Sequence, residues 1–106
     1  MRYEIILAPE AVEDLRSLDA HLRSEIRDTI ETHLRHEPMK VSKSRIKRLR
    51  GLSQPQYRLR VGEVRVFYDV ADESVEVLGI VRKSDVDEWL KKAGEKQNEE
   101  SGPVSG

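Results

Sequence analysis

The arginines are the residues whose spacing invites a chemical reading. Tyr57, Leu59 and Val61 alternate with Arg58 and Arg60. After Gly62-Glu63, Val64, Val66, Tyr68 and Val70 alternate with Arg65, Phe67 and Asp69. Strict alternation is the period of a half-buried strand, and glycine at the first of two loop positions suits a type II′ hairpin turn. Such a turn sets Arg60 opposite Arg65, Leu59 opposite Val66 and Arg58 opposite Phe67. Cross-strand partners share a face, and like charges placed directly opposite are destabilising by roughly 0.2–1 kcal/mol. A sequence under no other demand would place Thr, Glu or Gln there, so the arrangement makes sense if two guanidinium groups await a shared anion. Arginine presents a planar fork that matches phosphate oxygens, and a rigid sheet carrying several of them suits a nucleic-acid backbone.

The same count extends into the next strand. If Val70 pairs with Val75, Gly79 falls beside Val66, Ile80 beside Arg65, and Arg82 opposite Glu63 on the arginine face. The expected surface is then Arg58, Arg60, Arg65 and Arg82, bordered by Phe67, Leu78 and Ile80. Phe67 has two readings: exposed, where it stacks a base, or packed under the closing helix through Trp89. The arginines likewise either stay open or pair with Glu63, Asp69 and Glu76.

Charge along the chain supports the open reading. Residues 35–65 hold ten basic and two acidic side chains, a net charge of +8, within a chain whose formal net charge is -1. A basic block inside a near-neutral protein is the footprint of a polyanion binder. Lys43, Arg45, Lys47, Arg48 and Arg50 belong to it and form a connector able to drape over the edge of the arginine face. The absence of cysteine excludes a disulfide framework, thiol catalysis and Cys-ligated zinc. His33 and His36 lie three residues apart, with nothing to complete a metal site. The longest apolar run is Ile5-Ile6-Leu7-Ala8, far short of a membrane helix, and Met1-Arg2-Tyr3-Glu4 does not open a signal peptide. The expectation is a cytoplasmic protein with no membrane partner, metal or cofactor.

The elements that must position these residues are legible in turn. Tyr3 to Ala8 is a short first strand. Pro9 opens a helix with Val12, Leu15 and Leu18 as its apolar stripe. Asp19 caps a second helix carrying Leu22, Ile26, Ile30 and Leu34. Residues 39–55 show no clean period and form the basic connector, with Ile46, Leu49 and Leu52 as its anchors. A strand from Val75 to Arg82 follows the hairpin, and a closing helix runs from Asp85 to about Lys92, with Val86, Trp89 and Leu90 inward. The expected organisation is a domain over 1–92 and a disordered polar tail over 93–106. The fold class is α+β: an N-terminal strand and α-hairpin on a mainly antiparallel four-stranded sheet, with a short C-terminal helix.

This order, with Arg48-Leu49-Arg50-Gly51, Tyr57-Arg58-Leu59-Arg60-Val61-Gly62, Val64-Arg65-Val66-Phe67-Tyr68-Asp69-Val70 and Val81-Arg82-Lys83-Ser84-Asp85-Val86, resembles the RelE/ParE superfamily of small toxins from bacterial type II toxin–antitoxin pairs. The resemblance covers about residues 2–92 and favours the RelE-like branch. It implies a metal-independent endoribonuclease that cuts messenger RNA on the ribosome and inhibits translation. Its RNA-facing positions carry over to Arg58, Arg60, Arg65 and Arg82 or Lys83, where arginines stabilise charge as a ribose 2′-OH attacks the adjacent phosphate. The branch usually has a Tyr or His near the closing helix; here that position is Asp87, with Glu63, Asp85 and Tyr68 as other candidate bases. The resemblance also implies a cognate antitoxin, with DNA binding only through the toxin–antitoxin complex. The alternatives are a gyrase-directed toxin of the ParE-like branch and a catalytically weakened nucleic-acid-binding member.

Overall fold

A computed structural model describes the backbone of residues 1–101 and the side chains of residues 1–94. The elements are β1 (Glu4–Leu7), α1 (Pro9–Arg16), α2 (Ala20–Leu34), β2 (Ile46–Arg48), β3 (Tyr57–Val61), β4 (Val64–Val70), β5 (Ser74–Arg82) and α3 (Val86–Ser101), with a 3-10 turn at Lys83–Asp85 before α3. The fold is mixed α+β, and its sheet has five strands in the order β1-β5-β4-β3-β2. β1 runs parallel to β5, and the other pairings are antiparallel.

The fifth strand corrects the expectation of four. β2 lies inside the basic connector, with only three residues, too few to show a period of two. It exists because β3 offers it an edge: Ile46 pairs with Leu59, Lys47 with Arg58 and Arg48 with Tyr57. The connector then folds back on its own strand, where the Ser42 N–H donates to the Ile46 carbonyl at 2.9 Å. α3 also runs beyond Lys92, through Ala93 and on to Ser101, taking in the first part of the segment expected as a disordered tail. No proline interrupts that stretch, and Ala, Glu, Lys and Gln are good helix formers. The rest of that expected tail, 102–106, lies outside the described residues.

One face of the sheet is buried under the helical hairpin. Leu59, Val61, Val64, Val66, Tyr68, Val75, Val77 and Ile80 pack there against Ala11, Leu15, Leu18, Ile26, Ile30 and Leu34. Pro9 occupies the start of α1, and the Asp19 carboxylate accepts the Leu22 N–H at the start of α2, so both helices begin where the sequence places them. Tyr57 and Tyr68 stack on the same face with ring centroids 5.4 Å apart. The Tyr68 hydroxyl donates to the Pro38 carbonyl at 2.7 Å, tying the end of the helical hairpin to the sheet. β5 outruns β1, and the Ile80 N–H beyond that pairing donates to the Asp14 carboxylate of α1 at 2.9 Å. Buried backbone donors require a partner, and a helix side chain supplies this one.

Candidate functional site

The β3–β4 hairpin has the expected register. Val61 faces Val64, Arg60 faces Arg65, Leu59 faces Val66 and Arg58 faces Phe67. Gly62 has φ 56, and no described non-glycine residue has positive φ, the signature of a type II′ turn with glycine first. Directly paired residues share a face, so two rows cross the side of the sheet turned from α1 and α2. One is Lys47, Arg58, Phe67 and Gly79; the other is Arg60, Arg65 and Val81. Arg45 extends the second row: its carbonyl accepts the Arg60 N–H at 2.8 Å, and its guanidinium donates to the Arg60 carbonyl at 2.9 Å.

None of Arg58, Arg60, Arg65 and Arg82 forms an ion pair with a described carboxylate. Arg65 is 7% exposed, and its guanidinium turns back to the hairpin, donating to the Gly62 carbonyl at 2.8 Å and the Val64 carbonyl at 3.1 Å. Arg58 is half-buried, and its Nε is buried with no hydrogen-bond partner among the described residues. Burial first, then the charges of Arg65 and Arg60, push its guanidinium below the usual arginine range. A buried donor without an acceptor costs about 1–3 kcal/mol, more when charged. A strong acceptor placed beside Arg58 would remove that cost.

None of the acidic residues that could have quenched this face pairs with its arginines among the described residues. Asp69 accepts Gln54 Nε2 at 2.7 Å and the Gln56 N–H at 2.8 Å, pinning the connector to β4. Glu76 pairs with Asp69 in the next row towards the opposite end of the sheet. Glu63 sits exposed in the turn, and its carbonyl accepts the Lys83 N–H at 2.8 Å.

Three sequence-based placements are corrected. Arg82 pairs with Val64, a position on the helix-side face, because a bulge between Phe67 and Tyr68 in the β4–β5 ladder inserts Leu78 unpaired. The pairing starts at Val70 and Val75 as expected, but the bulge shifts every later partner by one. Gly79 then faces Phe67, Ile80 faces Val66 and Val81 faces Arg65. A one-residue slip moves each side chain to the other face. Phe67 is 0% exposed and lies beneath Trp89 of α3, ring centroids 4.7 Å apart and planes 9° from parallel. It cannot meet a base. Arg48 shares the face of Tyr57, with its guanidinium carbon 5.0 Å from the tyrosine ring centroid.

The remaining basic candidates divide by position. Lys47 joins the Arg58 row, while Lys43 and Arg50 are exposed on the connector and Lys83 is exposed at the start of the 3-10 turn. Among the candidate bases, Tyr68 is withdrawn from solvent on the helix-side face, and burial pushes its hydroxyl above the usual phenol range. Asp85 and Asp87 are exposed at the junction between the 3-10 turn and α3. Among the described residues, no group of three or more His, Cys, Asp or Glu side chains could hold a metal.

The sequence profile described as "ParE toxin of type II toxin-antitoxin system, parDE" matches residues 5–86. The chain belongs to this family. The match begins at the second residue of β1, takes in the other four strands and stops at the first residue of α3. Solved structures agree on the fold. The archaeal RelE–RelB complex from Pyrococcus horikoshii OT3 contains a chain 28% identical to the toxin, with a TM-score of 0.59 and coverage of 78% of this chain and 97% of that one. RelBE2 from Mycobacterium tuberculosis, also a toxin–antitoxin complex, gives 22% identity, a TM-score of 0.65, and coverage of 77% and 99%. A mutant of E. coli toxin RelE in the free state gives 19% identity, a TM-score of 0.66, and coverage of 92% and 98%. No functionally curated relative matches the chain. The protein is a toxin of a type II toxin–antitoxin system.

Proposed function

We propose that the toxin is a metal-independent endoribonuclease that cleaves messenger RNA engaged on the ribosome and so inhibits translation in the cytoplasm. One observation carries this reading: Arg58, Arg60 and Arg65 gather on the sheet face turned from α1 and α2, and among the described residues no carboxylate pairs with them and the buried Nε of Arg58 has no acceptor. Such a face suits a phosphodiester. Attack of a ribose 2′-OH on the adjacent phosphorus forms the new P–O bond and breaks the bond to the 5′-oxygen, leaving a cyclic phosphate. Negative charge grows on the phosphoryl oxygens, where fixed guanidinium groups act without reorganising. Arg58 and Arg60 hold the phosphate, and Arg65, fastened to the turn, keeps them in register. Lys47, Arg45, Lys43 and Arg50 track the flanking backbone from the connector, and Lys83 does so from beside the turn. Asp87 is the carboxylate assigned to the 2′-OH proton. The partner that silences this face is a cognate antitoxin, through which the pair reaches DNA; several similar toxins were solved bound to theirs.

A second reading, a gyrase-directed toxin, is favoured by the ParE profile and by the lack of a hydrogen-bonded acid–base pair on the arginine face. Primer extension on translated messenger RNA, with and without ribosomes, separates the two. New 5′ ends that require ribosomes and vanish in Arg65→Ala support the nuclease. Intact RNA together with loss of gyrase supercoiling selects the second reading.

A further inference from the structure

Trp89 is the only tryptophan in the chain, and it lies on the arginine side of the sheet. Its indole is stacked on Phe67, which faces Arg58 across the β3–β4 ladder. Gly79 lies next to Phe67 at the end of that row. A Cβ added there would meet indole Cζ2 at 2.5 Å, Cε2 at 2.7 Å and Nε1 at 2.9 Å. The indole therefore lies flat over a bare backbone and a buried ring, and only glycine permits it. Phe67 and Gly79 lie against the indole from the sheet side, and Trp89 as a whole is half-buried.

We propose that Trp89 is the base-stacking platform of the phosphate site, with Phe67 as its underlay. This rests on the RNA reading of the arginine face. Strands lie about 4.8 Å apart, so Arg58 is one strand from Phe67 and two from Gly79, a separation a nucleotide bridges between its phosphate and its base. A single-stranded segment whose phosphate bonds to Arg58 and Arg60 can thus lay its base on the indole. The platform is sequence-tolerant, because every base has a π face. It also gives a role to the apolar gap that α3 fills beside the cations: the aromatic offered to RNA comes from the helix, while the strand's own Phe67 is spent as support.

The lone indole reports its own occupancy by fluorescence. A short single-stranded RNA should quench Trp89 emission. The same RNA with its bases removed should bind about fivefold or more weakly and leave the emission unchanged. Trp89→Leu should reduce the affinity for RNA to that of the abasic strand, and Trp89→Phe should restore part of it, with helical circular dichroism checked for both. If RNA and abasic strand bind the unmutated protein equally well and both lose affinity in Arg60→Ala, the platform is refuted while the RNA reading stands. If no RNA binds, or binding ignores Arg60→Ala, the RNA reading falls and takes the platform with it. Should Trp89→Leu fail to fold, the base-removal comparison on the unmutated toxin still decides.

Discussion

The two faces of one sheet are built under opposite rules. On the helix-side face every paired position from Tyr57 to Ile80 carries an apolar side chain, and all but the half-buried Val70 are nearly withdrawn from water. On the other face, the same strands place Arg60 against Arg65 and leave the Nε of Arg58 buried without a partner among the described residues. The first face gains free energy from burial; the second sets clustered cations beside the patch that α3 covers. Local choices that agree with the fold on one side and conflict with it on the other mark where function was favoured over stability. The lesson is quantitative: equivalent substitutions on the two faces should move different observables.

The largest effect on stability belongs to the helix-side face. Leu59→Ala, at a site with 0% exposure, should destabilise by about 2–5 kcal/mol, measured by urea unfolding, with RNA affinity altered only through the folded fraction. Next, Arg58→Met should invert that outcome. Removing a half-buried donor without an acceptor should leave the urea midpoint unchanged or raised, while RNA affinity falls about tenfold or more through loss of a charge-assisted contact worth roughly 1.5–3 kcal/mol. A fall in stability matching the fall in binding would erase the contrast between the faces. Gly79→Ala tests the seam where α3 crosses onto the arginine side. Displacing the indole should cost about 1–3 kcal/mol and shift the Trp89 emission maximum.

Two smaller effects are electrostatic. Arg60→Ala should flatten the salt dependence of RNA binding, reducing the slope of log affinity against log salt by about 0.7. Burial raises the Asp14 carboxyl above its usual value of 3.8, against the Ile80 N–H, which lowers it. The protonated form is therefore favoured by folding, and its contribution is fully present below the unfolded value and lost as pH rises through the folded one. Asp14→Asn keeps an acceptor for Ile80 and should remove that loss, giving a variant at least as stable as the parent at pH 7. An equally large gain for the parent and the variant on acidification from neutral pH would exclude Asp14 as the cause.

The two hairpins show how far pattern reading reaches. For β3–β4, alternation plus Gly62-Glu63 determined every partner, since a two-residue turn leaves no freedom in register and period two assigns each face. For β4–β5 the starting pair was right, yet Leu78 slips out of the ladder and carries Arg82 to the other side. A bulge in mid-strand leaves no mark in an apolar run such as Val75 to Val81, where either register buries aliphatic side chains. β2 was hidden for a related reason, being too short to have a period and dependent on an edge supplied by distant residues. Trp89 was visible as an inward residue of the closing helix, but whether it covered Phe67 depended on which face Gly79 occupied.

The sequence by itself determined the helical hairpin, the β3–β4 pairing and the gathering of Arg58, Arg60 and Arg65, because local periodicity and one tight turn fix those outcomes over a few residues. Only the tertiary structure decided that Asp69 binds Gln54 and Gln56, that Arg48 turns to Tyr57, and that Arg82 leaves the arginine face. It also decided between the two readings of Phe67, packing it beneath Trp89. These are choices between partners far apart in the chain, settled by which contacts the packed sheet brings within reach.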